Sequence, residues 1–116
     1  MTLRILVVED EMTIAFMIED MLVELGHEVV ALAMRLPEAL EAAQRADIDV
    51  AILDVNLDGL RSFPVADILI KRAIPFAFAT GYGAAGLEEA YRNRPVLAKP
   101  FLSDDLRKLL SKAISA

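Results

Sequence analysis

The chain has 116 residues, of which 56% are hydrophobic and 26% charged, and its net charge is −6 at pH 7. This length and composition exclude a disordered chain, and we expect one folded domain over residues 1–116. With no cysteine and a single histidine, His27, the chain cannot form disulfides or a histidine-rich metal site. The negative charge, without any basic stripe, disfavours direct binding to nucleic acid.

The sequence shows no targeting segment. Its first apolar run is short and is broken by the acidic residues 9–11, whereas a signal peptide needs a longer apolar region and a small-residue cleavage site. No uncharged run approaches the roughly 18–20 residues of a membrane span. We therefore expect a cytoplasmic protein without a membrane partner.

Short apolar runs alternate with longer amphipathic runs along the chain. The short runs are rich in Val, Ile, Leu and Phe, which is typical of strands that are buried on both faces. They lie near residues 4–8, 29–33, 50–53, 76–79 and 95–98. The order of strands and helices predicts right-handed crossovers and an α/β fold with helices on both faces of a parallel sheet.

The amphipathic runs predict five helices. They are expected over residues 12–25, from Pro37, over about 64–72, within 86–92 and from an N-cap at Ser103. Gly26 stands where the first helix needs a left-handed residue after its C-terminus. The fourth helix is the weakest, because its run is short and follows several glycines, and we expect it to be short or irregular.

Polar side chains stand at the carboxyl ends of four predicted strands. Glu9 and Asp10 follow the first strand, Asp54 closes the third, Thr80 closes the fourth and Lys99 follows the fifth. Because the carboxyl ends of parallel strands meet at one edge of a sheet, these side chains should lie together. Each residue alone has an ordinary explanation as a helix start, turn former, strand residue or solvated cation. Together they favour one site for a divalent metal and a phosphoryl group.

Three neighbouring carboxylates need compensating positive charge. Two like charges about 4 Å apart repel by roughly 4 kcal/mol at an effective dielectric constant near 20. Lys99 offsets part of this repulsion, and Mg²⁺ is the natural cation for the rest, because it binds carboxylates, carbonyls and phosphate oxygens. The backbone carbonyl of Asn56, two residues after Asp54, is a further candidate ligand.

The chain resembles a response-regulator receiver domain over essentially its whole length. The matching segments are residues 6–11, 53–56, 79–81 and 99–101. The resemblance implies a flavodoxin-like (βα)5 fold with strand order 2-1-3-4-5. It also implies a signalling module of a two-component phosphorelay that catalyses only its own phosphorylation and dephosphorylation.

The resemblance also assigns roles to the residues of the site. It implies that Asp54 accepts a phosphoryl group from the phosphohistidine of a histidine kinase or phosphotransfer protein. Asp10 and Asp54 would bind Mg²⁺ directly, Glu9 through water and Asn56 through its carbonyl.

Two more residues complete these roles. Lys99 would pair with Asp54 and then with a phosphoryl oxygen. The Thr80 hydroxyl would turn inward to the phosphoryl group.

Three features depart from the usual receiver pattern. The Met-Pro pair after the phosphoacceptor is missing, Val96 stands where an aromatic switch residue is usual, and the stretch from Thr80 to Lys99 is short. Residues 75–83 resemble the signature of the FAT GUY receivers, which lack the standard aromatic switch. Tyr82 either replaces that aromatic residue or only covers the glycine-rich loop.

We expect a stand-alone receiver that switches protein–protein interactions, because the chain ends soon after the last predicted helix. Two alternatives stay open: a receiver-like docking module that works without phosphorylation, and a receiver that belongs to a larger regulator or hybrid kinase. A haloacid-dehalogenase type phosphatase is disfavoured, because no Asp-x-Asp motif follows the first strand. Flavin binding is disfavoured by the acidic residues in the loop after that strand.

Overall fold

The computed structural model describes residues 2–81, 87–91 and 93–115. In chain order the elements are β1 (Arg4–Val8), α1 (Met12–Glu24), β2 (Glu28–Ala33), α2 (Leu36–Arg45), β3 (Val50–Asp54), β4 (Asn56–Leu57), β5 (Leu60–Arg61), α3 (Phe63–Lys71), β6 (Phe76–Thr80), a 3-10 turn (Glu89–Tyr91), β7 (Val96–Ala98) and α4 (Ser103–Ser115). Each strand predicted from the apolar runs is present, and its ends lie within one residue of those expected.

Five parallel strands form the main sheet in the order β2-β1-β3-β6-β7. Counting only these five strands, the order is 2-1-3-4-5, so the predicted flavodoxin-like topology is confirmed. The central strands β1 and β3 pair in parallel over Ile5–Val8 and Val50–Leu53. No helix among the described residues is both long and apolar enough to cross a membrane.

The sheet separates two hydrophobic cores, because successive side chains of a strand point to opposite faces. In β1, Leu6 and Val8 belong to the core under α2 and α3, whereas Ile5 and Val7 belong to the core under α1 and α4. This two-sided burial explains why the strands are apolar at consecutive positions. Because the five strands are parallel, all their carboxyl ends lie at one edge of the sheet.

The end of α1 agrees with the sequence prediction, and the start of α4 does not. Gly26 has a φ of 91°, and the N–H of His27 donates to the carbonyl of Leu22 at 2.9 Å, which is a typical C-terminal closure. The predicted N-cap at Ser103 is wrong, because Ser103 is already helical. The N–H of Leu102 donates instead to the Asp105 carboxylate at 2.9 Å.

The segment between β6 and β7 is irregular where the structure describes it. A single 3-10 turn, Glu89–Tyr91, stands where the fourth helix was expected. The ring of Tyr91 stacks on Phe63 with centroids 4.6 Å apart, and its hydroxyl donates to Asp67 Oδ1 at 2.6 Å. Tyr82, the predicted substitute for the aromatic switch, lies outside the described residues.

A short β-hairpin between β3 and α3 was not predicted. Strands β4 and β5 pair antiparallel around a two-residue turn, in which Asp58 and Gly59 have φ values of 52° and 87°. Two successive positive φ angles are typical of the tight turns that favour Asp-Gly, so this dipeptide in the sequence indicates a hairpin turn. The hairpin matters for function because it lies beside the carboxyl edge of β3.

His27 gives the fold a pH-dependent contact. The N–H of Leu3 donates to Nδ1 of His27 at 3.1 Å, which requires that nitrogen to be unprotonated. Burial lowers the pKa of His27 from its ordinary value of 6.5. Because the unfolded chain then binds the proton more readily, this contribution is present above pH 6.5 and is lost as the pH falls through the folded pKa.

We predict that His27→Asn, which keeps an acceptor near Nδ1, makes stability less sensitive to this pH change. Urea unfolding of wild type and variant at pH 8 and pH 5.5 checks it. The wild type should lose more free energy of unfolding than the variant. Equal losses would show that the His27 contact does not titrate.

Candidate functional site

The carboxyl edge of the sheet gathers residues from widely separated parts of the chain. Glu9 and Asp10 follow β1, Asp54 ends β3, Thr80 ends β6 and Lys99 follows β7. Carboxylate oxygens of Glu9, Asp10 and Asp54 all lie within 4.8 Å of one another. The structure therefore brings the three predicted acids into one cluster, with the lysine beside them.

Lys99 makes two ion pairs in this cluster. Its Nζ lies 3.3 Å from Asp54 Oδ2 and also contacts Glu9 Oε1. The carboxylate of Glu9 is almost completely buried, with a relative exposure of 1%, and its second oxygen accepts the N–H of Glu11 at 3.3 Å. The contact with Asp54 was predicted, whereas sequence reasoning missed the contact between Lys99 and Glu9.

The cluster raises the pKa of both Glu9 and its partner Lys99, but for different reasons. Burial, followed by the hydrogen bond and charge of Asp54, raises the pKa of Glu9 from 4.5 to about 8, against the opposing effect of Lys99. Burial disfavours the charge on Lys99, but the two carboxylates outweigh it and raise the pKa of the lysine. One ammonium thus does not fully compensate this cluster, and additional positive charge would favour the ionised Glu9.

Asp10 has a different environment. Its Oδ2 accepts the N–H of Asp58, at the tip of the hairpin, at 3.0 Å. Partial burial opposes ionisation of Asp10, but this hydrogen bond and those with Glu9 and Asp54 lower its pKa overall. Asp10 is therefore ionised at neutral pH and available as a cation ligand.

Thr80 and Asn56 complete the set of predicted residues. Thr80 is buried, with a relative exposure of 2%, and its backbone carbonyl accepts the N–H of Lys99 at 3.0 Å. Asn56 is exposed at the start of the hairpin, where its Oδ1 accepts the N–H of Gly59 at 3.1 Å. Its N–H points back to Asp54 Oδ1 at 3.5 Å, so the residue borders the cluster.

A cleft of about 930 Å³ opens over the cluster. Its lining combines acids, a hydroxyl, an ammonium and residues of the hairpin; it consists of Asp10, Glu11, Ile14, Asp54, Val55, Asn56, Gly59, Arg61, Thr80, Gly81 and Lys99. A Cβ added at Gly81 would meet no atom within 4 Å, so access to the cleft there is open. Sequence reasoning missed the contribution of Arg61.

The donor set of this cluster fits Mg²⁺. Hard oxygen ligands from a few carboxylates, supplemented by carbonyls and water, are what this cation binds in proteins. Three carboxylates converge here, and no cysteine or second histidine is available to select a softer metal.

Comparison with known proteins identifies the family. Residues 5–111 match the response regulator receiver domain, and the chain belongs to this family of two-component signalling modules. Its fold superimposes on the solution structure of SdrG from Sphingomonas melonis Fr1 with a TM-score of 0.86 and 43% identity, covering 99% of this chain and 98% of SdrG. The BeF3-activated conformation of SdrG from Pseudomonas melonis Fr1 matches with a TM-score of 0.82 and 45% identity, over 96% and 95% of the two chains.

A curated relative is longer than this chain. The transcriptional regulatory protein PdtaR of Mycobacterium tuberculosis is 33% identical over 118 residues, which cover 97% of this chain and 57% of PdtaR. The chain thus spans about half the length of the curated relatives it matches. Receiver domains are generally signalling modules and not enzymes that act on separate substrates, and they typically bind Mg²⁺ in an acidic pocket.

We predict that Mg²⁺ stabilises the fold through Asp10. A cation that binds only the native state at 100 times its dissociation constant adds about 2.7 kcal/mol to the free energy of unfolding. Asp10→Asn should remove most of this increment, whereas Asp20→Asn, at an exposed position of α1, should keep it. Urea unfolding with and without MgCl₂ checks both variants. A wild type that does not respond to Mg²⁺ would contradict a metal site in the cluster.

Proposed function

We propose that residues 1–116 form a stand-alone receiver that accepts a phosphoryl group on Asp54 from a histidine kinase or phosphotransfer protein. The observation that carries this proposal is the position of Asp54. Its carboxylate opens onto the cleft and pairs with Lys99 at 3.3 Å. The match to almost the whole of SdrG, for which a BeF3-activated conformation is described, supports it.

The proposed reaction transfers a phosphoryl group between two side chains. A carboxylate oxygen of Asp54 forms a bond to phosphorus while the phosphorus–nitrogen bond of the phosphohistidine breaks. The imidazole nitrogen leaves with the electron pair of that bond. Such transfers depend mainly on alignment and on compensation of the charge on the equatorial oxygens.

The residues around Asp54 are placed for these tasks. Lys99 would release Asp54 and pair with a phosphoryl oxygen, and the Thr80 hydroxyl would donate to another. Glu9, Asp10, Asp54 and the carbonyl of Asn56 would hold Mg²⁺, which would supply further positive charge when bound.

Phosphorylation would then act as a switch of protein–protein contacts. It adds roughly one negative charge to the edge where β3 and β6 end, and it biases an equilibrium between two conformations. Residues 87–91 of the segment between β6 and β7 are a suitable reporter, because the Tyr91 ring contacts Phe78, two residues before Thr80. We propose that the protein works in the cytoplasm, that its targets are proteins and that it acts on no separate substrate.

We predict a single phosphoryl adduct on Asp54. Incubation with acetyl phosphate and Mg²⁺, followed by intact-mass spectrometry, should give one adduct in the wild type and in Asp20→Asn. The adduct should be absent in Asp54→Asn and without Mg²⁺. A wild type that binds Mg²⁺ but takes up no phosphoryl group would favour a docking module that works without phosphorylation.

We predict that Thr80→Ala separates phosphorylation from the conformational response. The variant should still form the adduct, because Asp54 and Lys99 are intact, but backbone NMR shifts beyond the cleft should change less on phosphorylation. Thr80→Ser keeps the hydroxyl and should behave like the wild type. Equal shift changes in wild type and Thr80→Ala would contradict a role of this hydroxyl in the switch.

A further inference from the structure

We infer that Arg61, on the second strand of the hairpin, is a further phosphoryl-binding residue of this site. The inference rests on the proposed phosphorylation of Asp54 and extends it. Arg61 lies seven residues after Asp54 in the sequence, and it lines the same cleft as Asp54, Thr80 and Lys99.

The hairpin that carries Arg61 is fastened to the site. At its tip, the N–H of Asp58 donates to Asp10 Oδ2 at 3.0 Å. At its base, the N–H of Ser62 donates to the carbonyl of Val55 at 2.9 Å. Leu57 anchors it in the core with a relative exposure of 1%. The backbone of Arg61 is therefore held at a defined distance from the carboxylates.

The pairing of the hairpin directs Arg61 toward the cleft. Asn56 pairs with Arg61, and Leu57 pairs with Leu60. Paired residues of an antiparallel ladder lie on the same face, and successive residues lie on opposite faces. Asn56 and Arg61 both line the cleft, whereas neither leucine does. The hairpin thus presents a polar face to the site and an apolar face away from it.

The negative charges of the phosphorylated site would exceed its positive charges unless another cation were present. An acyl phosphate on Asp54 would carry up to two negative charges, and Asp10 and Glu9, the latter once ionised beside bound Mg²⁺, would add one each. Mg²⁺ and Lys99 would together supply three positive charges. One negative charge then remains, which a guanidinium at the rim of the cleft would balance.

Arginine suits this position better than lysine would. Its planar guanidinium can donate two parallel hydrogen bonds to neighbouring phosphoryl oxygens, and it is always charged. Lys99, whose side chain is only 18% exposed, is a point charge at the base of the cleft. Arg61 is exposed, and it lines the cleft onto which the Asp54 carboxylate opens.

The test measures two quantities, because loss of Arg61 should make transfer slower while it makes Mg²⁺ binding tighter. The first is the rate constant for transfer from acetyl phosphate to Asp54 at saturating Mg²⁺, followed by intact mass; acetate leaves with the electron pair of the broken P–O bond. The second is the dissociation constant of Mg²⁺ alone, from isothermal titration. Arg61→Ala should slow transfer about tenfold, while Mg²⁺ binding should tighten roughly twofold at low salt, because a cation has been removed nearby.

Two variants serve as controls. Arg35 is exposed and pairs with Asp58 of the same hairpin at 3.7 Å, but it does not line the cleft. Arg35→Ala should therefore keep the wild-type rate. Arg61→Lys keeps the charge without the planar fork, so it should keep the wild-type affinity for Mg²⁺ and slow transfer less than Arg61→Ala does.

The outcomes separate this inference from the proposed function. If Asp54 is labelled equally fast in wild type and Arg61→Ala, the role of Arg61 is refuted and the receiver function stands. If Arg35→Ala is as slow as Arg61→Ala, or if Arg61→Ala binds Mg²⁺ more weakly, the hairpin only positions the acids and the inference is refuted. If the wild type is not labelled at all, the proposed function fails and the inference fails with it.

Discussion

The interaction on which the site depends is the contact of Lys99 with two carboxylates at the edge of the sheet. Glu9 is almost fully buried, and an isolated buried carboxylate is costly. Lys99 compensates Glu9 and Asp54 together, but Asp10 adds a third carboxylate within 4.8 Å, so three carboxylates face one ammonium. The resting site is therefore built with a deficit of positive charge, which a divalent cation would fill.

This charge arrangement is possible because the sheet is parallel and buried on both faces. Each strand contributes a rigid apolar segment whose last residue, or the next one or two, reaches the same edge. Residues as distant in sequence as Glu9 and Lys99 thereby meet, because each directly follows its strand. The hairpin after β3 adds two further residues to this edge, because it is short and anchored and places Asp58 and Arg61 beside the cluster.

Much of the fold could be predicted from sequence, for a physical reason. Strands buried on both faces are apolar at consecutive positions, and their polar end residues mark the site. The cluster of Glu9, Asp10 and Asp54 followed from this pattern, as did the nearby Lys99.

Other features depend on tertiary contacts that leave weaker signals in the sequence. The second partner of Lys99 depends on the burial of Glu9, which no local pattern reveals. The Asp58-Gly59 dipeptide is a turn signal for the hairpin, but each strand of the hairpin has only two residues. The N-terminus of α4 lies one residue earlier than predicted, and there the Asp105 carboxylate accepts the N–H of Leu102.

The burial of Tyr91 has an optical consequence. The chain contains no tryptophan and two tyrosines, so tyrosine emission is not masked by a stronger fluorophore. The Tyr91 ring contacts both Phe63 and Phe78, and its hydrogen bond to Asp67, with burial, raises its pKa to about 12. Phe78 is two residues from Thr80 on the same face of β6. The protein therefore carries an intrinsic chromophore, un-ionised in ordinary buffers, that is coupled by ring contacts to the strand ending at the site.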